Sequence, residues 1–163
     1  MITKAQPNDL EAIAAIARRV VVDLHASGID QWSDIYPLQE HFQKDMDRDG
    51  LFVYKDGNRI LGSISILPQN DPFYKDITWL KESSLVVHRL MVDPIAMKHG
   101  IGSALLQYAI DLATSRNYES IKVDTHPDNF RMQGLLLRHG FVKLEMIERM
   151  YRIGFELVLT KKE

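Results

Sequence analysis

The sequence predicts an α/β chain with its strands and helices in the order βααβββαβαββ. Three observations carry that prediction. Apolar residues recur at helical spacing in two long stretches. Short runs rich in Val, Ile, Leu and Phe, bounded by Gly, Pro, Asn and Asp, lie between and after them. One strand–helix–strand segment, from Leu85 to the run at Ile121, needs a crossover and so implies a parallel pair.

Ile2 to Ala5 reads as a short first strand. Asn8 with Glu11 resembles a capping box. Leu10, Ile13, Ala14, Ala17, Val20, Val21 and Leu24 then mark one helix face, so the first helix runs to about Ala26, and Ser27-Gly28 closes it. A loop follows through Asp30-Gln31-Trp32 and Tyr36-Pro37. A second helix is expected from Leu38 to Asp49. Leu51 to Tyr54 and Ile60 to Leu67 are strands, joined by the turn signal Lys55-Asp56-Gly57-Asn58. Pro68 to Glu82 reads as a polar loop containing Pro72, Phe73 and Tyr74. Leu85 to Val92 is the next strand. Ile101, Ala104, Leu105, Tyr108, Ala109 and Leu112 form the stripe of a long helix ending near Asn117. A strand at Ile121 to Asp124, a helix from Phe130 to Arg138, and strands at about Phe141–Ile147 and Phe155–Leu159 complete the chain.

Bulk properties narrow the function. The 163 residues suffice for one domain with a real core, and a single domain over 1–163 is expected. A formal net charge of -2 argues against a general nucleic-acid binder. With no cysteine, disulfides, thiol nucleophiles and Cys-based metal sites are excluded. That usage suits the cytoplasm. The N-terminal residues are too polar for a secretory signal, and no apolar run is long enough to span a bilayer, so no membrane partner is expected. His88, His126 and His139 lack ligand spacing, so no metal is expected. The polar tail Thr160 to Glu163 is expected to fray.

The most informative stretch runs from Leu90-Met91-Val92-Asp93-Pro94 into Met97-Lys98-His99-Gly100-Ile101-Gly102-Ser103-Ala104. A strand ends at Val92, and a helix opens near Gly100 after a glycine-bearing loop. A loop feeding a helix start gathers backbone N–H groups at the positive end of the helix dipole, which suits phosphate. Gly100 and Gly102 allow close approach, having no Cβ. A Walker loop would need Gly-Lys-Ser/Thr at its end, which is absent, and a dinucleotide fingerprint would need Gly or Ala where Leu105 stands.

Met97 to Gly102 after Leu90-Met91-Val92 resembles the acyl-CoA loop of the GNAT superfamily of N-acetyltransferases, Arg/Gln-x-x-Gly-x-Gly/Ala after Leu-x-Val. Met97 departs from the usual Arg or Gln. A second block, Asn129 to Gly140-Phe141, resembles that superfamily's Asn-x-x-Ala-x-x-x-Tyr-x-x-x-Gly-Phe pattern. Met132 takes the Ala place, and Leu136 takes the place of the tyrosine that often protonates the leaving thiolate.

The resemblance implies a mixed, mostly antiparallel twisted sheet of about seven strands flanked by about four helices. Its two parallel strands would splay to admit the pantetheine arm. It implies acetyl-CoA as co-substrate and a small-molecule amine as acceptor, with a homodimer possible. Leu90, Met91 and Val92 would line the arm, the Leu90 N–H facing the thioester carbonyl. Met97, Lys98, His99, Gly100, Ile101, Gly102, Ser103 and Ala104 would cradle the pyrophosphate. Asn129 and Met132 would contact the arm, although Asn129 also fits a helix N-cap. Asp30, Gln31, Trp32 and Tyr36, with Phe73 and Tyr74, would line the acceptor site; Trp32 also fits a loop anchor.

His88 is the candidate general base. It lies two residues before Leu90, and strand alternation would put both on one face. Arylalkylamine acetyltransferases of the superfamily carry histidine at the matching place. His126, near the end of the other splayed strand, is the second candidate.

Overall fold

A computed structural model describes residues 1–160; Lys161 to Glu163, most of the tail expected to fray, lie outside it. The strands are β1 (Ile2–Lys4), β2 (Leu51–Asp56), β3 (Arg59–Leu67), β4 (Ser84–Val92), β5 (Ser120–Thr125), β6 (Val142–Ile147) and β7 (Arg152–Val158). The helices are α1 (Leu10–Ala26), α2 (Gln39–Asp47), α3 (Ile101–Ser115) and α4 (Phe130–Arg138). The strands form one seven-stranded sheet in the order β1-β2-β3-β4-β5-β7-β6. β4 and β5 run parallel, while β1/β2, β2/β3, β5/β7 and β6/β7 run antiparallel. The order βααβββαβαββ read from the sequence therefore holds.

Three short 3₁₀ turns were not expected: Pro7–Asp9, Pro72–Asp76 and Pro94–Ala96. Each opens on proline, whose fixed φ and missing N–H suit the first position of a helical turn. The first corrects the expected start of α1. The reciprocal contact is made by Gln6 and Asp9 rather than Asn8 and Glu11: the Gln6 N–H donates to Asp9 Oδ2 at 2.8 Å and the Asp9 N–H donates to Gln6 O at 2.9 Å. The second corrects the polar loop, since Tyr74 and Ile77 within it are buried.

The chain divides into two compact units. The first comprises Met1–Ile66 and Arg89–Leu106. Its core joins Leu10, Ile13, Ile16 and Ala17 of α1 to Phe42 of α2, Leu51 and Val53 of β2, and Met91 of β4. Each of these larger apolar side chains contributes about 1.5–3 kcal/mol on full burial. The α1 stripe is set by its 3.6-residue period. Gly62 of β3 is a close-approach position: a Cβ there would lie 2.8 Å from the Met91 carbonyl oxygen.

The second unit comprises Leu67–His88 and the chain from Gln107 onward. The parallel register runs from Ser84↔Ser120 to Val87↔Val123. β5 and β7 pair from Ser120↔Val158 to Thr125↔Ile153. Glu156 is fully buried, yet its carboxylate accepts from the Leu80 N–H (2.6 Å), the Lys81 N–H (3.1 Å) and the Ser120 hydroxyl (2.6 Å). Buried charge is tolerated when donors replace its water.

Candidate active site

The loop after β4 is built from its first residue. Asp93 is buried, and its carboxylate accepts from Arg19 Nη2 at 2.7 Å, Arg19 Nε at 3.3 Å and the Ile95 N–H at 3.3 Å. Burial alone would raise its pKa. Its hydrogen bonds from Arg19 and from the Ile95 N–H, with the charges of Arg19 and Arg59, outweigh burial and hold the carboxyl below the ordinary aspartate value. The strand exit is thereby locked. Beyond it, Lys98 (φ 68°) and Gly100 (φ 76°) adopt left-handed conformations. Such alternation turns backbone N–H groups toward one concavity. α3 then begins at Ile101, and its first intrahelical bond runs from the Ala104 N–H to Gly100 O at 3.0 Å. The N–H groups of Ile101 and Gly102 therefore have no carbonyl one turn back.

Two observations fit a pyrophosphate to this loop. Lys98, His99 and Gly100 are exposed, so their backbone is open to a ligand. The first turn of α3 carries no acidic residue to repel an anion. Met97, Gly102 and Ser103 are half-buried and Ile101 is buried, so these positions can offer main chain to a ligand while side chains pack. The expectation that Ala104 joins the cradle is corrected: its N–H is already bonded to Gly100 O.

Leu90, Met91 and Val92 lie past the end of the parallel register, Leu90 and Met91 buried and Val92 half-buried. Just before them Arg89 takes φ 49° within β4. A bulky residue at positive φ interrupts the extended run. Period-two alternation therefore does not carry across it, and the argument that put His88 on the face of Leu90 fails for that reason.

His88 has other support. Its Nε2 lies 2.9 Å from Gln69 O. A carbonyl only accepts, so Nε2 carries a proton, and in the neutral ring Nδ1 holds the lone pair. Burial raises the Asp124 carboxyl of β5 above the ordinary aspartate value, and His88 is among the groups that oppose that rise. His126 is different. It is buried, its Nδ1 accepts the Asp128 N–H at 3.0 Å, and its ring stands edge-on to Tyr151, centroids 5.3 Å apart. The lone pair a base would use is spent, which argues against His126 as the base. Asn129 caps α4, its side chain accepting the Met132 N–H at 3.1 Å. Met132 is half-buried in the first turn, and Leu136 is fully buried in the core.

The proposed acceptor residues fall into two sets. In the first unit, Asp30 is exposed, Gln31 half-buried, and Trp32 packed against the core. Arg18 holds the following loop by donating from Nη1 to Ser33 O (3.0 Å) and Asp34 O (2.7 Å), and from Nη2 to Pro37 O. The Tyr36 ring meets His41 edge-on, centroids 4.7 Å apart, and lies under the Arg89 guanidinium at 5.6 Å. In the second unit, Phe73 is covered by Arg149 at 4.2 Å. Tyr74 is no open wall. It is 1 % exposed and donates to Asp124 Oδ2 at 2.6 Å. Burial and the Asp124 charge push its phenol well above the ordinary value, which also excludes it as a ready proton donor.

A model of the acetyltransferase (GNAT) family matches residues 18–141. The chain belongs to the GNAT family. Members of that family use acetyl-CoA. Among curated proteins, no sequence matches this GNAT chain. Solved structures do. A Staphylococcus aureus Mu50 protein, solved as a candidate acetyltransferase, is 28 % identical with a TM-score of 0.78, covering 98 % of this chain and 99 % of that one. A GNAT-family acetyltransferase from Streptococcus agalactiae 2603 is 21 % identical with a TM-score of 0.85, covering 99 % and 96 %. The yncA protein of Salmonella typhimurium, solved with its cofactor acetyl-CoA, is 16 % identical with a TM-score of 0.73, covering 100 % and 95 %. With the latter two the similarity is one of fold.

Sequence reasoning about this GNAT chain missed Arg89 and Asp45. Arg89 Nη1 donates to Asp45 Oδ2 at 2.8 Å, and the Ser65 hydroxyl donates to the same oxygen at 2.6 Å. Arg89 Nε is buried without a hydrogen-bond partner. Leaving such a donor unmet costs about 1–3 kcal/mol. The available signal was a charged residue in the apolar run Leu85-Val86-Val87-His88-Arg89-Leu90-Met91-Val92.

Proposed function

We propose that this GNAT chain transfers the acetyl group of acetyl-CoA to the amine of a small molecule by direct attack in a ternary complex. The observation that carries the reading is the loop from Lys98 to Gly100, with its two left-handed residues and the start of α3 just beyond it. Acetyl-CoA supplies an acyl group already activated as a thioester. The chain supplies the rest. The loop amides, from Met97 to Ser103, hold the pyrophosphate. The amides of Leu90 and Val92 orient the thioester arm as an added strand would, and the Leu90 N–H faces negative charge developing on the carbonyl oxygen. Asn129 and Met132 flank the arm. His88 Nδ1 takes the amine's proton.

Leu136 favours a second reading, an acyl-CoA-binding module without turnover, because leucine cannot protonate a leaving thiolate. Chemistry weighs against it. The alkyl thiol of CoA resembles free Cys, whose pKa is roughly 8.5, so its thiolate departs tolerably well unprotonated. Free-thiol release with a panel of amines, set beside calorimetric titration with CoA, separates the two. Binding with turnover supports transfer. Binding without turnover supports the module. Absence of binding overturns both. Mass shifts on candidate polypeptides test for a protein acceptor.

A further inference from the structure

We propose that the Arg89 guanidinium is the binding site for a carboxylate carried by the acceptor. The inference rests on the acetyl-transfer reading and names the substrate class for it: an amine that also bears a carboxylate.

The argument starts from donor accounting. A guanidinium offers five N–H groups, and its Nε/Nη2 edge presents two parallel donors matched to the two oxygens of a carboxylate. Asp45 does not occupy that edge. It takes Nη1 alone, and its Oδ2 is shared with the Ser65 hydroxyl. Nε is buried and unmet. An arginine serving only as a structural ion pair gains most by presenting its fork to the carboxylate, so an end-on contact with the better edge unspent is unexplained by structure alone.

Backbone and surroundings point the same way. Arg89 is held at φ 49° within a strand, a strained conformation for a long side chain. Asp45 is 4 % exposed and fixes the guanidinium from the α2 side. The Arg89 side chain itself is 17 % exposed, and the Tyr36 ring lies against it. Ser63, two residues from Ser65 and so on the same face of β3, carries a buried hydroxyl without a hydrogen-bond partner. Tyr36 sits in the loop held by Arg18, so this ring forms one fixed wall beside the guanidinium. Asp45 already offsets one charge, which favours a monoanion such as carboxylate over a doubly charged phosphate. Arg89 directly precedes Leu90, whose amide the reading above assigns to the thioester carbonyl, so a carboxylate held here draws its amine toward the reacting end.

The test observes the Nε–H itself. In the full ¹⁵N-labelled chain a buried Arg89 Nε–H is slow to exchange and gives a resolved resonance, assigned through its own side-chain carbons and confirmed by its loss in Arg89→Lys. Sodium acetate, acetamide and inorganic phosphate are titrated at constant ionic strength, with and without CoA. The expected result is a saturable shift of that resonance with acetate, at least tenfold weaker with acetamide and with phosphate. No saturable shift with acetate, or an equal one with acetamide, leaves Arg89 a structural ion pair and overturns the proposal. Stronger binding of phosphate overturns the carboxylate assignment. A missing Nε–H resonance means free exchange with water and contradicts the buried donor on which the proposal stands. Failure of CoA to bind calorimetrically, with the acetate shift intact, defeats the acetyl-transfer reading and leaves the anion site; the reverse pair of results does the opposite.

Discussion

His88 and His126 show how partner identity decides the role of one residue type. His88 lies within β4 and His126 just past the end of β5, and sequence ranked them by position. The carbonyl of Gln69 leaves His88 with a basic Nδ1, whereas the Asp128 N–H consumes that of His126. His88→Ala is therefore expected to lower kcat by about 10²-fold or more. The check is a pH–rate profile from pH 6 to 9 with the responsive amine, and an unchanged kcat there removes the assignment. Asp93 carries a prediction of pH dependence. Its folded pKa lies below the unfolded value of roughly 3.9. Ionised Asp93 thus stabilises the fold above that value, and the contribution is lost as pH falls through the lowered folded pKa. Urea unfolding between pH 2 and 6 is expected to show a shallower acid limb for Asp93→Asn than for the parent chain.

Among elements, β4 matters most. Its first half obeys parallel pairing with β5, and its second half follows Arg89 at positive φ. Alternation could be read from the sequence only to that residue, because a positive φ within a strand depends on what the neighbouring backbone permits. β3 shows the same dependence. Nothing in Leu61-Gly62-Ser63 says why glycine is needed, yet a Cβ at Gly62 would stand 2.8 Å from backbone oxygen. Gly62→Ala is expected to destabilise the chain by about 1–3 kcal/mol, as overpacking against an immovable atom does. A lowered urea midpoint at unchanged m-value would record it.

For the whole molecule, coenzyme binding is folding free energy. A ligand held only by the native chain stabilises it by about 2.7 kcal/mol at one hundred times its Kd. CoA is therefore expected to raise Tm progressively with concentration, and a flat thermal trace across the titration would defeat the assignment of the loop. The strand and helix order was legible at this scale, because local periodicity and turn residues decide it. The three Pro-initiated 3₁₀ turns were missed, being too short to show a period.

By itself, the sequence determined the order of elements, the parallel crossover and the anion-suited loop at Gly100. Each of these follows from contacts close in the chain: apolar spacing, prolines, glycines and a helix start. Only the tertiary structure decided which histidine keeps a lone pair, that Tyr74 is spent on Asp124, and that Arg89 holds an unmet donor beside Asp45. Those outcomes depend on residues distant in sequence, Gln69 with His88, Tyr74 with Asp124 and Asp45 with Arg89, whose hydrogen bonds exist only once the chain has folded.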